Sequence, residues 1–127
     1  MFRLIPLGVR RAIFKALFRL FYHASAKQRL IALHNLRRAY PEKSIDEIVE
    51  IAKRVYRHMG IVMAELFEMP YITRETLHEW VDVEGLEHFK DAHAQGKGVL
   101  SIVAHFGNWE LMTVAVPMLV HPLEIVY

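Results

Sequence analysis

The stretch Gly98-Val99-Leu100-Ser101-Ile102-Val103-Ala104-His105-Phe106-Gly107-Asn108-Trp109-Glu110 decides how the rest of the chain is read. Val99 to Ala104 is a short, β-branched apolar run bounded by turn residues, which predicts a buried strand. His105 stands at its carboxyl end. Phe106, Gly107 and Asn108 then break the strand, and Asn108 is a favoured N-cap for a helix opening at Trp109. Glu110 falls in the first turn of that helix, where a negative charge suits the macrodipole. Sites in open α/β sheets lie beyond the carboxyl ends of the strands, and His105 is expected there.

On one continuous helix, His105 and Glu110 would be turned about 140° apart and could not face each other. A strand–turn–helix instead lets the chain fold the carboxylate back onto the imidazole. Such a carboxylate fixes the tautomer and leaves the other ring nitrogen free to take a proton from a hydroxyl. That is a base with its orienting group, without a protein nucleophile. On spacing alone, the commoner account of such a pair is a capped helix beside a structural histidine.

Outward from this stretch, composition narrows the classes. The chain has 127 residues and is 54% hydrophobic, enough for one modest core. It contains no cysteine, which excludes disulfide scaffolds, thiol catalysis and zinc–thiolate sites. Charge is uneven: residues 1–40 hold nine Lys/Arg and no acid, whereas residues 41–127 hold seven Lys/Arg and fourteen acids. Any nucleic-acid contact would have to rest on the first third, and the pattern there favours a membrane surface instead.

Residues 2–22 read as a basic amphipathic helix. Phe2, Ile5, Val9, Ala12, Ile13, Ala16, Leu17 and Leu20 fall on one side, and Arg3, Arg10, Arg11, Lys15 and Arg19 share the other with Phe14, Phe18 and Phe21. The charges interrupt it too often for a spanning helix or a cleaved signal peptide. An interfacial helix fits, with Arg10, Arg11, Lys15 and Arg19 set against anionic lipid. The alternative is a helix packed on the domain with a solvated basic face.

Ser25 with Gln28 suggests a capping box for a second helix ending before Pro41, and Ser44 with Glu47 another for a long helix to about Glu68. In that helix Ile45, Ile48, Ala52, Val55, Met59, Val62 and Leu66 keep helical spacing, and Met59 and Met63 are expected to fill core. Glu65 and Glu68 read as solvated charges. From Val81 the pattern becomes α/β. A strand is expected at Val81–Glu84, a helix from Leu86 to Ala94 stopped by Gly96, the Val99 strand, the Trp109 helix disturbed by Pro117, and a last strand from Leu123 to Tyr127. His88 and His93 would not share a helix face, and no metal site is expected. Ser101 lies inside a strand and no Gly-x-Ser-x-Gly elbow is present.

The hexapeptide His105-Phe106-Gly107-Asn108-Trp109-Glu110, preceded by Gly96-Lys97-Gly98-Val99, resembles the lauroyl/myristoyl acyltransferases of lipid A biosynthesis. These form a branch of the lysophospholipid acyltransferase superfamily, whose hallmark is His, four residues, then an acid. Asn35-Leu36-Arg37-Arg38-Ala39-Tyr40-Pro41-Glu42 and the closing Val126-Tyr127 are similar to further family signatures, so the resemblance runs from about Asn35 to the end. It implies an α/β fold, with N-terminal helices followed by the first βαβαβ part of a glycerolipid-acyltransferase-like sheet, incomplete here. The expected division is a membrane-surface helix over 1–22, a helical segment over 23–80 and the start of the acyltransferase domain over 81–127.

The activity implied is transfer of a fatty acyl chain from a carrier thioester, acyl carrier protein or acyl-coenzyme A, to a hydroxyl of a membrane glycolipid. That acceptor is a lipid A precursor at the cytoplasmic face of the inner membrane. His105 would be the general base and Glu110 its orienting partner. The Gly107 and Asn108 amides are candidates for the oxyanion, Trp109 for substrate contact, and no cofactor is required. An Arg motif of the family would lie beyond Tyr127, so the chain is expected to be an N-terminal portion. The rival reading is a truncated, non-catalytic membrane-surface or interaction module.

Overall fold

A computed structural model describes residues 4–120. It contains five α-helices: α1 (Leu7–Ala24), α2 (Ala26–Ala39), α3 (Ile45–Leu66), α4 (Leu86–Ala94) and α5 (Glu110–Leu119). Short 3₁₀ turns at Met69–Tyr71 and Leu77–Glu79 connect α3 to α4. The chain divides into two compact units, Met1–Phe67 and Glu68–Tyr127.

In the first unit α1 and α2 pack on α3. The buried row of α3 is Ile48, Ala52, Tyr56, Gly60 and Ala64, spaced four apart, the ridge that packs helix against helix. Three of these five are small, so backbones approach closely. At Gly60 a Cβ would lie 2.7 Å from the Phe14 carbonyl oxygen and 2.9 Å from the Lys15 Cα. Tyr22, Ala52 and Tyr56 form the core with Phe18, Ala32, Leu33 and Leu36 around them. The Tyr22 and Tyr56 rings meet edge to face at 5.2 Å, a favoured aromatic geometry. Met59, expected inside, is exposed, because the inward row is one position away from it.

Helix α1 meets α3 with the side that carries its aromatic rings and leaves outward the aliphatic stripe expected at a lipid surface. Phe14, Phe18 and Tyr22, four apart, face inward, whereas Val9, Ile13, Leu17 and Leu20 are exposed. Aromatic rings bury more area than aliphatic chains, and they win the contact with α3. Ser25 makes no side-chain cap on α2. The Arg29 guanidinium instead closes the end of α1, donating to the Tyr22 and His23 carbonyls at 2.7 and 2.9 Å. The Ser44 capping box is present: the Ser44 N–H donates to Glu47 Oε2 at 2.8 Å, and the Glu47 N–H to Ser44 Oγ at 3.3 Å. Glu65, read as a solvated charge, pairs with Arg11 at 2.7 Å.

In the second unit Ile72, Leu77, Leu111 and Ala115 form the core, with Met69, Trp80, Val81, Val114 and Met118 packed on it. The α/β class is overturned here. No strand occurs among the described residues, so the βαβαβ sheet is not formed. Val81–Glu84 and Val99–Ala104 are irregular, and the strand expected over 123–127 lies outside the described residues. Leu100 and Ile102 are 86% and 94% exposed, the reverse of a buried strand. The physical reason is that a lone extended segment has no neighbour to take its backbone N–H and C=O groups. The α4 helix runs from Leu86 to Ala94 as its pattern predicts, and α5 holds Pro117 in its last turn and ends two residues later.

Candidate active site

The segment from Val99 to Phe106 runs exposed into the head of α5. Gly107 has φ +61°, a left-handed conformation glycine adopts without strain, and it turns the chain into the helix. Trp109, not Asn108, occupies the N-cap position, and no side chain caps the helix. The α5 ladder is entered by the Leu111 N–H to the Asn108 carbonyl at 3.1 Å and the Met112 N–H to the Trp109 carbonyl at 3.0 Å. Trp109 at this position lets the indole meet the histidine: the His105 and Trp109 rings lie 4.5 Å apart, tilted by 66°. That edge contact holds an otherwise exposed imidazole beside the helix start.

Glu110 is the first residue of α5 and is half-buried. Its carbonyl accepts from the Thr113 hydroxyl at 2.7 Å. The chain thus brings His105, Gly107, Asn108, Trp109 and Glu110 into one turn and helix start. Neither a hydrogen bond nor an ion pair joins the His105 and Glu110 side chains. Sequence reasoning placed the cap one residue early and so missed the His105–Trp109 contact. The aromatic four positions after the histidine was its available signal.

The four basic residues assigned to the membrane separate. Arg10 is 3% exposed and its Nε donates to the Ile5 carbonyl at 2.9 Å. Arg11 is held by Glu65. Lys15 and Arg19 instead line a groove between α1 and α3 with Ala16, Tyr22, His23, Glu50, Lys53 and Arg57. That basic set on α3 was not singled out in the sequence, because Lys53 and Arg57 look like ordinary solvated charge. Among the described residues, no three His, Cys, Asp or Glu side chains gather as a metal site. No helix there is long and apolar enough to cross a membrane.

The family model for bacterial lipid A biosynthesis acyltransferases matches residues 1–122. The lipid A biosynthesis palmitoleoyltransferase of Escherichia coli (strain K12) is 31% identical over 81 residues, covering 64% of this chain and 26% of that protein. The lipid A biosynthesis lauroyltransferase of the same organism is 29% identical over 86 residues, 67% of this chain and 28% of that protein. A lipid A biosynthesis acyltransferase of Haemophilus influenzae is 26% identical over 83 residues, 65% and 26% of the two chains. The matched part spans about a quarter of the length of these curated relatives. No solved structure matches. By a match that runs over nearly its whole length, the chain belongs to the bacterial lipid A biosynthesis acyltransferase family.

Proposed function

We propose that the protein takes part in moving a fatty acyl chain from a carrier thioester, on acyl carrier protein or coenzyme A, to a hydroxyl of a lipid A precursor. The observation that carries this reading is the gathering of His105, Trp109 and Glu110 at the head of α5 in a member of this family. In this mechanism His105 takes the proton of the acceptor hydroxyl. The alkoxide oxygen attacks the thioester carbon, the C–O bond forms and the C–S bond breaks. The leaving thiolate takes that proton from the imidazolium, so no acyl-enzyme is needed. Gly107 and Asn108 amides stabilise the oxyanion. Trp109 holds the imidazole, and Glu110 stabilises its charged form. Catalytic hydrogen bonds are often unmade in empty sites and tighten with substrate, which is the part assigned to Glu110.

Membrane seating belongs to the same proposal. The exposed face Val9, Ile13, Leu17 and Leu20 on α1 supports shallow insertion into a lipid surface at the cytoplasmic side of the inner membrane. Lys15 and Arg19, on the other flank, supply attraction to anionic lipid. The test is acyl transfer by the intact protein from a labelled thioester to a panel of lipid acceptors. Product on a lipid A precursor that disappears in folded His105→Ala is expected; transfer undiminished by that change overturns the mechanism.

A further inference from the structure

The half-open groove between α1 and α3 offers a volume of about 610 Å³. Its walls carry four cations, Lys15 and Arg19 from α1 and Lys53 and Arg57 from α3, against one carboxylate, Glu50. The spacing is built in: positions 15, 19 and 23 follow one face of α1, and 50, 53 and 57 one face of α3. The close crossing at Gly60, against Phe14 and Lys15, fixes how the two basic rows meet. Among the described residues no ion pair joins Lys15, Arg19 or Arg57 to a carboxylate. The exception is Lys53, bound to Glu50 at 2.6 Å, with the two side chains 44% and 62% exposed. An exposed pair of this kind holds weakly, so Glu50 is a displaceable occupant.

The Glu50 hydrogen bond holds the Lys53 ammonium above its ordinary pKa, while Arg19 pushes it the other way. Arg57 in turn helps keep the Glu50 carboxyl below its ordinary range, behind the larger effect of Lys53. A fold that brings like charges together from two helices without matching acids leaves an excess that an anion can satisfy.

We propose that this groove is a binding site for a phosphate ester carrying more than one negative charge. Two guanidiniums offer planar forks that match phosphate oxygens, and two ammoniums add point charge. A carboxylate would engage one fork and leave the other cations unsatisfied. The volume exceeds what a lone phosphate fills, and Ala16, Tyr22 and the Lys and Arg stems provide apolar wall for the group the phosphate is attached to. The site lies within the first unit and involves neither His105 nor Glu110, so it stands or falls separately from the catalytic reading, and it shares only Lys15 and Arg19 with the proposed membrane seating.

The experiment is calorimetric titration of the intact chain with inorganic pyrophosphate at low salt, beside sedimentation with phosphatidylcholine vesicles containing or lacking phosphatidic acid. Arg19→Gln with Arg57→Gln should weaken binding at least tenfold with helical circular dichroism unchanged. Glu50→Gln should tighten it several-fold, because it removes the competing carboxylate. Lys27→Gln with Arg38→Gln removes the same charge from outside the groove and should leave binding within twofold. Pyrophosphate binding with this pattern assigns a soluble phosphate ester. The same pattern seen only as a preference for phosphatidic acid vesicles assigns a lipid headgroup. No binding in either arm, equal weakening by the Lys27/Arg38 pair, or a Glu50→Gln protein that binds no tighter overturns the proposal.

Discussion

Gly60 lies so close beneath Phe14 that a Cβ on it would stand 2.7 Å from the Phe14 carbonyl oxygen and 2.8 Å from the carbonyl carbon. These are backbone atoms, so no rotamer change relieves the contact and the helices must part. Gly60→Ala gains about 1 kcal/mol of helix propensity, yet overpacking of a tight contact costs about 1–3 kcal/mol. A net loss of stability in urea denaturation is expected. Gly8→Ala is the matched comparison: nothing lies within 4 Å of its Cβ position. It should be neutral to stabilising, by up to about 1 kcal/mol.

The orientation of α1 makes a second prediction. Tyr22 is buried against Tyr56, so Tyr22→Ala should cost on the order of 3–5 kcal/mol, as large aromatic truncations in a core do. Leu17→Ser, on the exposed face, should change stability by less than about 0.5 kcal/mol. The same Leu17→Ser protein should bind phosphatidylcholine vesicles more weakly. A large loss of stability in Leu17→Ser would instead return the aliphatic stripe to the interior.

These outcomes bear on what the sequence made legible. Local signals carried in part: Ser44 and Glu47 announced the start of α3 and Gly96 the stop after α4, whereas Ser25 makes no side-chain cap on α2 and Asn108 does not cap α5. Failure came where a residue's place depends on partners remote in sequence. Val99 to Ala104 has the composition of a strand, but a strand exists only when a neighbour takes its hydrogen bonds. On α1 both faces are apolar enough to bury, so periodicity could not choose between Val9, Ile13 and Leu17 and the ring row Phe14, Phe18 and Tyr22. The candidate site was legible as a string of residues. Its His105–Trp109 contact was not, since it depends on which residue caps α5.

The capping box gives a pH-dependent prediction. Ser44→Ala removes the cap and should cost about 1 kcal/mol at neutral pH. Hydrogen bonds from the Ser44 amide and then its hydroxyl hold the Glu47 carboxyl below its ordinary value of 4.5. A depressed carboxyl stabilises the fold above its unfolded value, and that contribution disappears as pH falls through the folded one. Glu47→Gln should therefore be less stable than the unchanged protein at pH 7. The gap should close steadily below about pH 4.5, as read from urea midpoints across pH. A gap that stays constant on acidification would mean Glu47 acts by packing alone.

The last prediction tests His105 and Glu110 as a unit. His105→Ala in the intact protein should lower acyl transfer by about 10²–10⁴-fold, the usual contribution of a positioned base. Glu110→Gln keeps the shape of the side chain and removes its charge, so its rate should also fall if that charge acts on the base in the proposed mechanism. If the carboxylate works only through the imidazole, the double change costs no more than His105→Ala alone. Glu110 also stands in the first turn of α5, where its charge suits the helix dipole. A role confined to that position would make the two losses multiply and would appear as a lower melting temperature in Glu110→Gln. Trp109→Phe separates the orienting contact from both: it keeps an aromatic edge against His105, so it should retain most of the rate, whereas Trp109→Ala should lose it without lowering helical content. Equal, near-normal rates in Trp109→Ala and Trp109→Phe would show that the 4.5 Å ring contact has no part in holding the base.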